Sequence, residues 1–260
     1  MKRPRFSTLC PSEVADAKRR FAREANTWSS LVHDKILLFH GMVEISNEIY
    51  LVSPWIEYGD LSKFVIERLK FMSASPSHQR EHPRRIAYEA FKASTSIYGI
   101  ASGLAYLHAA NIIHGDMKAL NVLLTEQLEP LICDFGMAKV LDGYNETSTT
   151  MKGAGSYRFM SPELMCDGPK TTESDIYAFG MTIVEILTGH IPLHGPNQVP
   201  FIRAILSGQR PPCEPIFRQG VGFGTLWVIA SAYWASEPSE RPSAGRVLEW
   251  MERMMETDIR

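Results

Sequence analysis

Four side chains within one short stretch of the 260-residue sequence have the types needed to act on a phosphate: Asp116, Lys118, Asn121 and Asp134. A carboxylate can orient a hydroxyl and accept its proton. A lysine can offset charge on a phosphoryl group, and a carboxamide with a second carboxylate can hold Mg2+. Phosphoryl transfer asks little more of a protein, because its catalysis is mostly positioning and electrostatics. Any one of the four alone means little, since Asp134-Phe135-Gly136 is also an everyday turn sequence. The information lies in their order and separation, five positions from Asp116 to Asn121 and eighteen from Asp116 to Asp134.

The surrounding pattern predicts the elements that must hold these loops. Residues 13–31 read as an amphipathic helix, with Ala17, Phe21, Trp28 and Leu31 at helical spacing among charged residues. Two apolar stretches, 36–43 and 49–53, read as antiparallel strands. Asp60 is placed to cap a following helix. Residues 72–86 are rich in Ser, Pro, His, Arg and Glu and predict a polar insertion, ahead of a long helix over 90–108. Short strands are expected at 121–124 and 130–133, a polar loop at 141–155, and helices at 174–188, 199–206, 225–235 and 243–255. Few strands early and many helices late read as α+β, a small mixed lobe followed by a larger helical one.

Composition bounds the function. Apolar residues make up 45% and charged residues 22%, ordinary for a globular protein. The net charge of −2 gives no general attraction to nucleic acid or acidic lipid, so an anionic ligand needs a local site. No apolar run approaches the ~20 residues of a membrane-spanning helix. Cys10, Cys133, Cys166 and Cys213 have no metal-ligand spacing and read as reduced thiols of an intracellular, cytoplasmic protein.

The run His114-Gly115-Asp116-Met117-Lys118-Ala119-Leu120-Asn121, with Asp134-Phe135-Gly136 after it, resembles the catalytic and metal-binding loops of protein kinases. The resemblance continues. Ser161-Pro162-Glu163 is similar to the Ala-Pro-Glu element, and Asp175 in Ser174-Asp175-Ile176-Tyr177 to the helical Asp that braces the catalytic loop. Arg241 is similar to the late Arg that pairs with that Glu. Glu24 resembles the regulatory-helix Glu, although position alone would leave it on a solvent-facing surface beside Arg20. Residues 49–56 look like the last small-lobe strand and the hinge, with Ser53 as gatekeeper, and Trp28, Phe39, His114 and Phe135 map onto a regulatory stack.

The resemblance implies one bilobal kinase domain over 1–260, with residues 1–56 a partial N-lobe and hinge and 57–260 the C-lobe. It implies ATP and Mg2+ as cofactors. Asp116 and Lys118 would be catalytic, and Asn121 and Asp134 would bind the metal. Lys2, Glu24, Ser53, Pro54, Ile56 and Leu123 would form the nucleotide site, the hinge offering the Pro54 carbonyl and the Ile56 amide to adenine. The expected partners are ATP and a protein substrate, with no nucleic acid and no membrane segment; the sequence specifies no oligomeric state. Lys118 and Gly155-Ser156 follow the Ser/Thr pattern, whereas Arg158-Phe159-Met160 has a tyrosine-kinase-like flavour.

The sequence departs from the family in two places. Gly115 replaces an Arg that would receive an activation-loop phosphate, so activity is expected not to depend on phosphorylation of Thr147, Ser148, Thr149 or Thr150. No Gly-rich loop precedes Lys2. The expectation is a kinase sequence truncated upstream of its third strand, and the alternative is a pseudokinase serving as a scaffold or binding module.

Overall fold

The structure, a computed structural model, describes residues 11–46, 48–73, 83–141, 156–195, 197–213 and 223–258. Lys2, Thr147–Thr150 and Gly155 lie outside these residues. Helix α1 (Pro11–Ser29) begins on a proline, whose missing N–H has no partner to lose at a helix start. Ala25, Trp28 and, just past the helix, Leu31 are buried on one side.

Strands β1 (Gly41–Ile45) and β2 (Glu48–Val52) form an antiparallel pair, with Gly41 opposite Val52 and Ile45 opposite Glu48. The first strand therefore starts later than the predicted 36–43. Gly41 has φ 127°, a backbone that glycine adopts far more easily than other residues, and it separates two pairings. Over residues 35–37 the chain bonds with β5 (Pro130–Ile132) instead. The Ile132 amide donates to the Lys35 carbonyl at 2.9 Å and the Leu37 amide donates to the Ile132 carbonyl at 2.9 Å.

The Asp60 carboxylate caps α2 (Leu61–Ser73) by accepting from the Lys63 amide at 2.9 Å, as its position predicted. Helix α3 (Pro83–Ala109) starts earlier than expected. Of the predicted insertion, residues 72–73 and 83–86 fall in these two helices, and residues 74–82 are not among the described residues. The sequence from Pro83 onward holds good helix formers on a proline start, which needs no apolar periodicity to propagate a helix already anchored further along.

The segment that carries Asp116, Lys118, Asn121 and Asp134 follows on short strands. Strand β4 (Val122–Leu124) pairs antiparallel with β5, and β3 (Ile112–Ile113) with β6 (Lys139–Val140). The chain then enters α4 (Pro162–Met165), α5 (Thr172–Thr188), α6 (Gln198–Leu206), α7 (Phe223–Tyr233) and α8 (Ala244–Asp258). Helix α5 is buried from Ser174 to Leu187 and forms the centre of the larger lobe. Its start is fixed by a reciprocal bond pair between Thr171 and Ser174, and its end by Gly189 in the left-handed conformation, φ 68°. A small lobe of helix and two-stranded sheet thus sits with a larger helical lobe, the α+β architecture expected. Among the described residues no helix is long and apolar enough to cross a membrane.

Candidate active site

The loop that carries Asp116 and Lys118 links β3 to β4 and is held from below by α5. The Asp175 carboxylate accepts from the His114 amide at 2.7 Å through Oδ2 and from the Gly115 amide at 2.8 Å through Oδ1. The His108 Nε2 on α3 lies 3.0 Å from the same Oδ2 and donates to it. A nearly inaccessible carboxylate, 1% exposed, is stable here because it is surrounded by donors. His114 adds a second fixed point. Its Nε2 must donate to the Cys133 carbonyl, 3.0 Å away, so Nδ1 is the acceptor for the Asp116 amide at 3.3 Å.

The side chains of Asp116, Lys118, Asn121 and Ser156 converge on this loop. Lys118 Nζ donates to Asp116 Oδ2 at 2.6 Å and to the Ser156 hydroxyl at 2.9 Å. Asn121 Nδ2 donates to the Asp116 carbonyl at 2.7 Å and to Asp116 Oδ2 at 3.1 Å. Both the amide NH2 and the ammonium are thereby aimed at one carboxylate, which leaves Asn121 Oδ1 as that side chain's acceptor.

Asp134 takes up a left-handed backbone, φ 65° and ψ 73°, and its Oδ1 accepts from the Gly136 amide at 3.4 Å. That turn brings its carboxylate into the same cleft as Asn121. The cleft, about 460 Å3, lies between the lobes and is also lined by Glu24, Ser53, Pro54, Ile56 and Leu123. Of the ten residues singled out from the sequence, seven line this cleft, Asp116 and Lys118 adjoin it through Asn121, and Lys2 is outside the described residues. The Ser53 hydroxyl donates to the Pro54 carbonyl at 3.3 Å, which keeps a second lone pair for a further donor. Glu24 is 5% exposed, and a Cβ built on Gly136 would lie 3.1 Å from its Oε2. The position-only reading of Glu24 as solvent-facing is therefore corrected: α1 turns that face toward the cleft.

The aromatic stack is continuous. Trp28 lies 4.9 Å from Phe39 and 6.2 Å from Phe135, and His114 lies 5.5 Å from Phe135, between ring centroids. The Trp28 indole donates to the Leu37 carbonyl at 2.6 Å, a bond that orients the ring as well as burying it. Glu163 and Arg241 form the expected pair, with two charge-assisted bonds at 2.6 and 2.8 Å. Burial pushes the Glu163 carboxyl up, and the Arg241 bonds, the other hydrogen bonds it accepts and the Arg241 charge together outweigh that and hold it below the ordinary range.

Three supports were not read from the sequence. His108 is one. Glu185 is another: Oε2 accepts from the Ala119 amide at 3.1 Å and Oε1 from the Ser62 hydroxyl at 2.7 Å. Burial raises its carboxyl above the ordinary range. A lone carboxylate inside the apolar run Met181–Leu187 was the available signal. The third is Lys170, whose Nζ donates to the Met137 carbonyl at 3.0 Å. Burial lowers its ammonium below the ordinary lysine range; Asp175 and Asp116 pull the other way, and Lys139 lowers it further.

The chain matches the family model for the protein tyrosine and serine/threonine kinase over residues 8–251, nearly its whole length, and it belongs to that family. It is 30% identical over 249 residues to the LRR receptor-like serine/threonine-protein kinase FEI 2 of Arabidopsis thaliana, covering 90% of this chain and 39% of that protein. It is 29% identical over 239 residues to the tyrosine-protein kinase Fgr of Rattus norvegicus, covering 91% of this chain and 41% of that protein. This chain spans about two fifths of the length of these relatives.

Proposed function

We propose that this chain transfers the γ-phosphate of ATP to a Ser or Thr hydroxyl of a protein substrate with the aid of Mg2+. The carrying observation is the convergence of Lys118, Asn121 and Ser156 on or beside the Asp116 carboxylate. A carboxylate held by two donors from its own loop can orient an acceptor hydroxyl and take its proton, and Lys118 offsets charge on the phosphoryl group. The Lys118–Ser156 bond supports a Ser/Thr acceptor, since Gly155-Ser156 resembles the Gly-Thr of Ser/Thr kinases, whose hydroxyl bonds the same lysine.

The cleft suits a nucleotide. Pro54 offers a carbonyl and Ile56 an amide at the hinge, Leu123 an apolar floor for adenine, and Ser53 a small gatekeeper. Glu24 faces the cleft as the counter-charge for an ATP-gripping lysine, the role assigned to Lys2. Asn121 Oδ1 and the Asp134 carboxylate are hard oxygen donors on one wall, which fits a cation that takes one or two protein ligands and completes its shell with phosphate and water. Bound there, Mg2+ would neutralise charge on the phosphate oxygens. The scaffold alternative has no use for an oriented Asp116, so the enzyme reading is preferred.

The test pairs binding with turnover. ATP plus Mg2+ at 100 times its dissociation constant should stabilise the chain by about 2.7 kcal/mol in a thermal-shift measurement. Asp116→Asn should keep that shift while lowering transfer to casein by about 10^2–10^4-fold. No ATP shift and no transfer from the unaltered chain would leave the scaffold reading in its place.

A further inference from the structure

Lys170 has a fixed origin and a fixed target. It directly precedes Thr171, the residue whose side chain caps α5, so its backbone is anchored by the Thr171–Ser174 bond pair. Its ammonium donates to the carbonyl of Met137, the last residue of the turn that begins at Asp134. It passes through space that Gly115 leaves open: a Cβ at 115 would lie 2.7 Å from Lys170 Nζ and 2.7 Å from the Met137 carbonyl oxygen. Gly115 also has φ 76°, a backbone that suits glycine.

The start of α5 therefore reaches both halves of the site. Asp175 holds the amides of His114 and Gly115, and Lys170 holds the turn of Asp134. The turn is also closed by the Ala138 amide on the Phe135 carbonyl at 3.0 Å, and the strand that follows it is tied down by the Leu141 amide on the Asn111 carbonyl at 2.9 Å. A charge-assisted bond from a part-buried lysine is stronger than either neutral one.

We propose that Lys170 is a positioning residue that locks the Asp134 turn against the catalytic loop through the gap at Gly115, with no need of a phosphate on the activation segment. The lock holds Asp134 in register with Asn121 and Asp116, and it deepens the kinase reading of this site, on which its kinetic consequence rests. Glycine at 115 is required because any larger residue would displace the lysine.

Two readouts test the lock on the full chain. Hydrogen exchange of the Ala138 and Leu141 amides should accelerate in Lys170→Met and in Gly115→Ala, with α5, α7 and α8 unchanged; this readout needs no activity. With ATP, Mg2+ and casein, both variants should lose kcat by about 10- to 100-fold at unaltered KM for ATP, the scale expected of a mispositioned reacting group. Lys170→Arg should restore most of it, and phosphatase treatment should leave the unaltered chain active. Unchanged exchange at 138 and 141, acceleration spread over the whole chain, or an unchanged kcat would overturn the lock. So would phosphatase treatment that brings the unaltered chain down to the Lys170→Met rate, because Lys170 would then be a phosphate receptor. If the unaltered chain neither binds ATP nor transfers phosphate, the kinase reading fails while the exchange result still decides whether the lock exists.

Discussion

Ser156 belongs to the site through one bond, from Lys118 Nζ to its hydroxyl. Removing an acceptor from a charged donor forfeits about 1.5–3 kcal/mol. Ser156→Ala should therefore lower kcat by about tenfold or more, with Lys118 still tied to Asp116, as measured by steady-state transfer to casein. The two partners of the Glu163–Arg241 pair should respond unequally. Arg241 also donates to the carbonyls of Ala235 at 3.0 Å and Glu173 at 3.1 Å, and its guanidinium sits 5.1 Å from the Tyr177 ring centroid. Its side chain is inaccessible, whereas that of Glu163 is 23% exposed. Arg241→Ala should cost about 3–5 kcal/mol in urea unfolding, the range for breaking a buried pair, and Glu163→Ala less, since Arg241 keeps its carbonyl partners.

Close packing of elements decides where the site residues stand. Helices α5 and α7 approach at Gly180, where an added Cβ would lie 2.8 Å from Tyr233 Cβ and 3.2 Å from the Ala230 carbonyl oxygen. Neither atom is the end of a flexible side chain, so Gly180→Ala must separate the helices. The substitution gains about 1 kcal/mol in helix propensity. Overpacking costs about 1–3 kcal/mol. A net loss of stability is expected, read as a lower urea midpoint at constant slope. At the N-terminal end of the same helix, Asp175 is sequence-legible because it resembles a family position. Lys170 is not, because a lysine before a helix cap looks like any solvated residue. Strand boundaries depart from the apolar pattern where pairing is not local: residues 35–37 bond to β5 rather than to the neighbouring strand.

At the scale of the whole molecule, stability against acid reflects opposing carboxylates. Glu163 and Glu173 have lowered pKa values, the bonds and charges around each outweighing the effect of burial. A lowered carboxylate stabilises the fold above its unfolded value, near 4.5, and that contribution is lost as pH falls through the folded value. Glu185 is raised by burial, so its ionised form opposes folding and relief comes as pH falls through its raised value. Glu163→Gln should thus be less stable than the unaltered chain at pH 7, with the gap narrowing as urea unfolding is repeated below pH 4.5. By itself the sequence pointed to the residues proposed here as catalytic and metal-binding and to the α+β order, and through the family resemblance to the Glu163–Arg241 pair, because these reside in short spacings and in a recognisable series of motifs. Only the tertiary structure decided that Glu185 holds the Ala119 amide across 66 positions and that Lys170 reaches Met137 across 33. Such contacts leave no periodic trace in a sequence, since they arise where the chain's path brings separate elements together around α5.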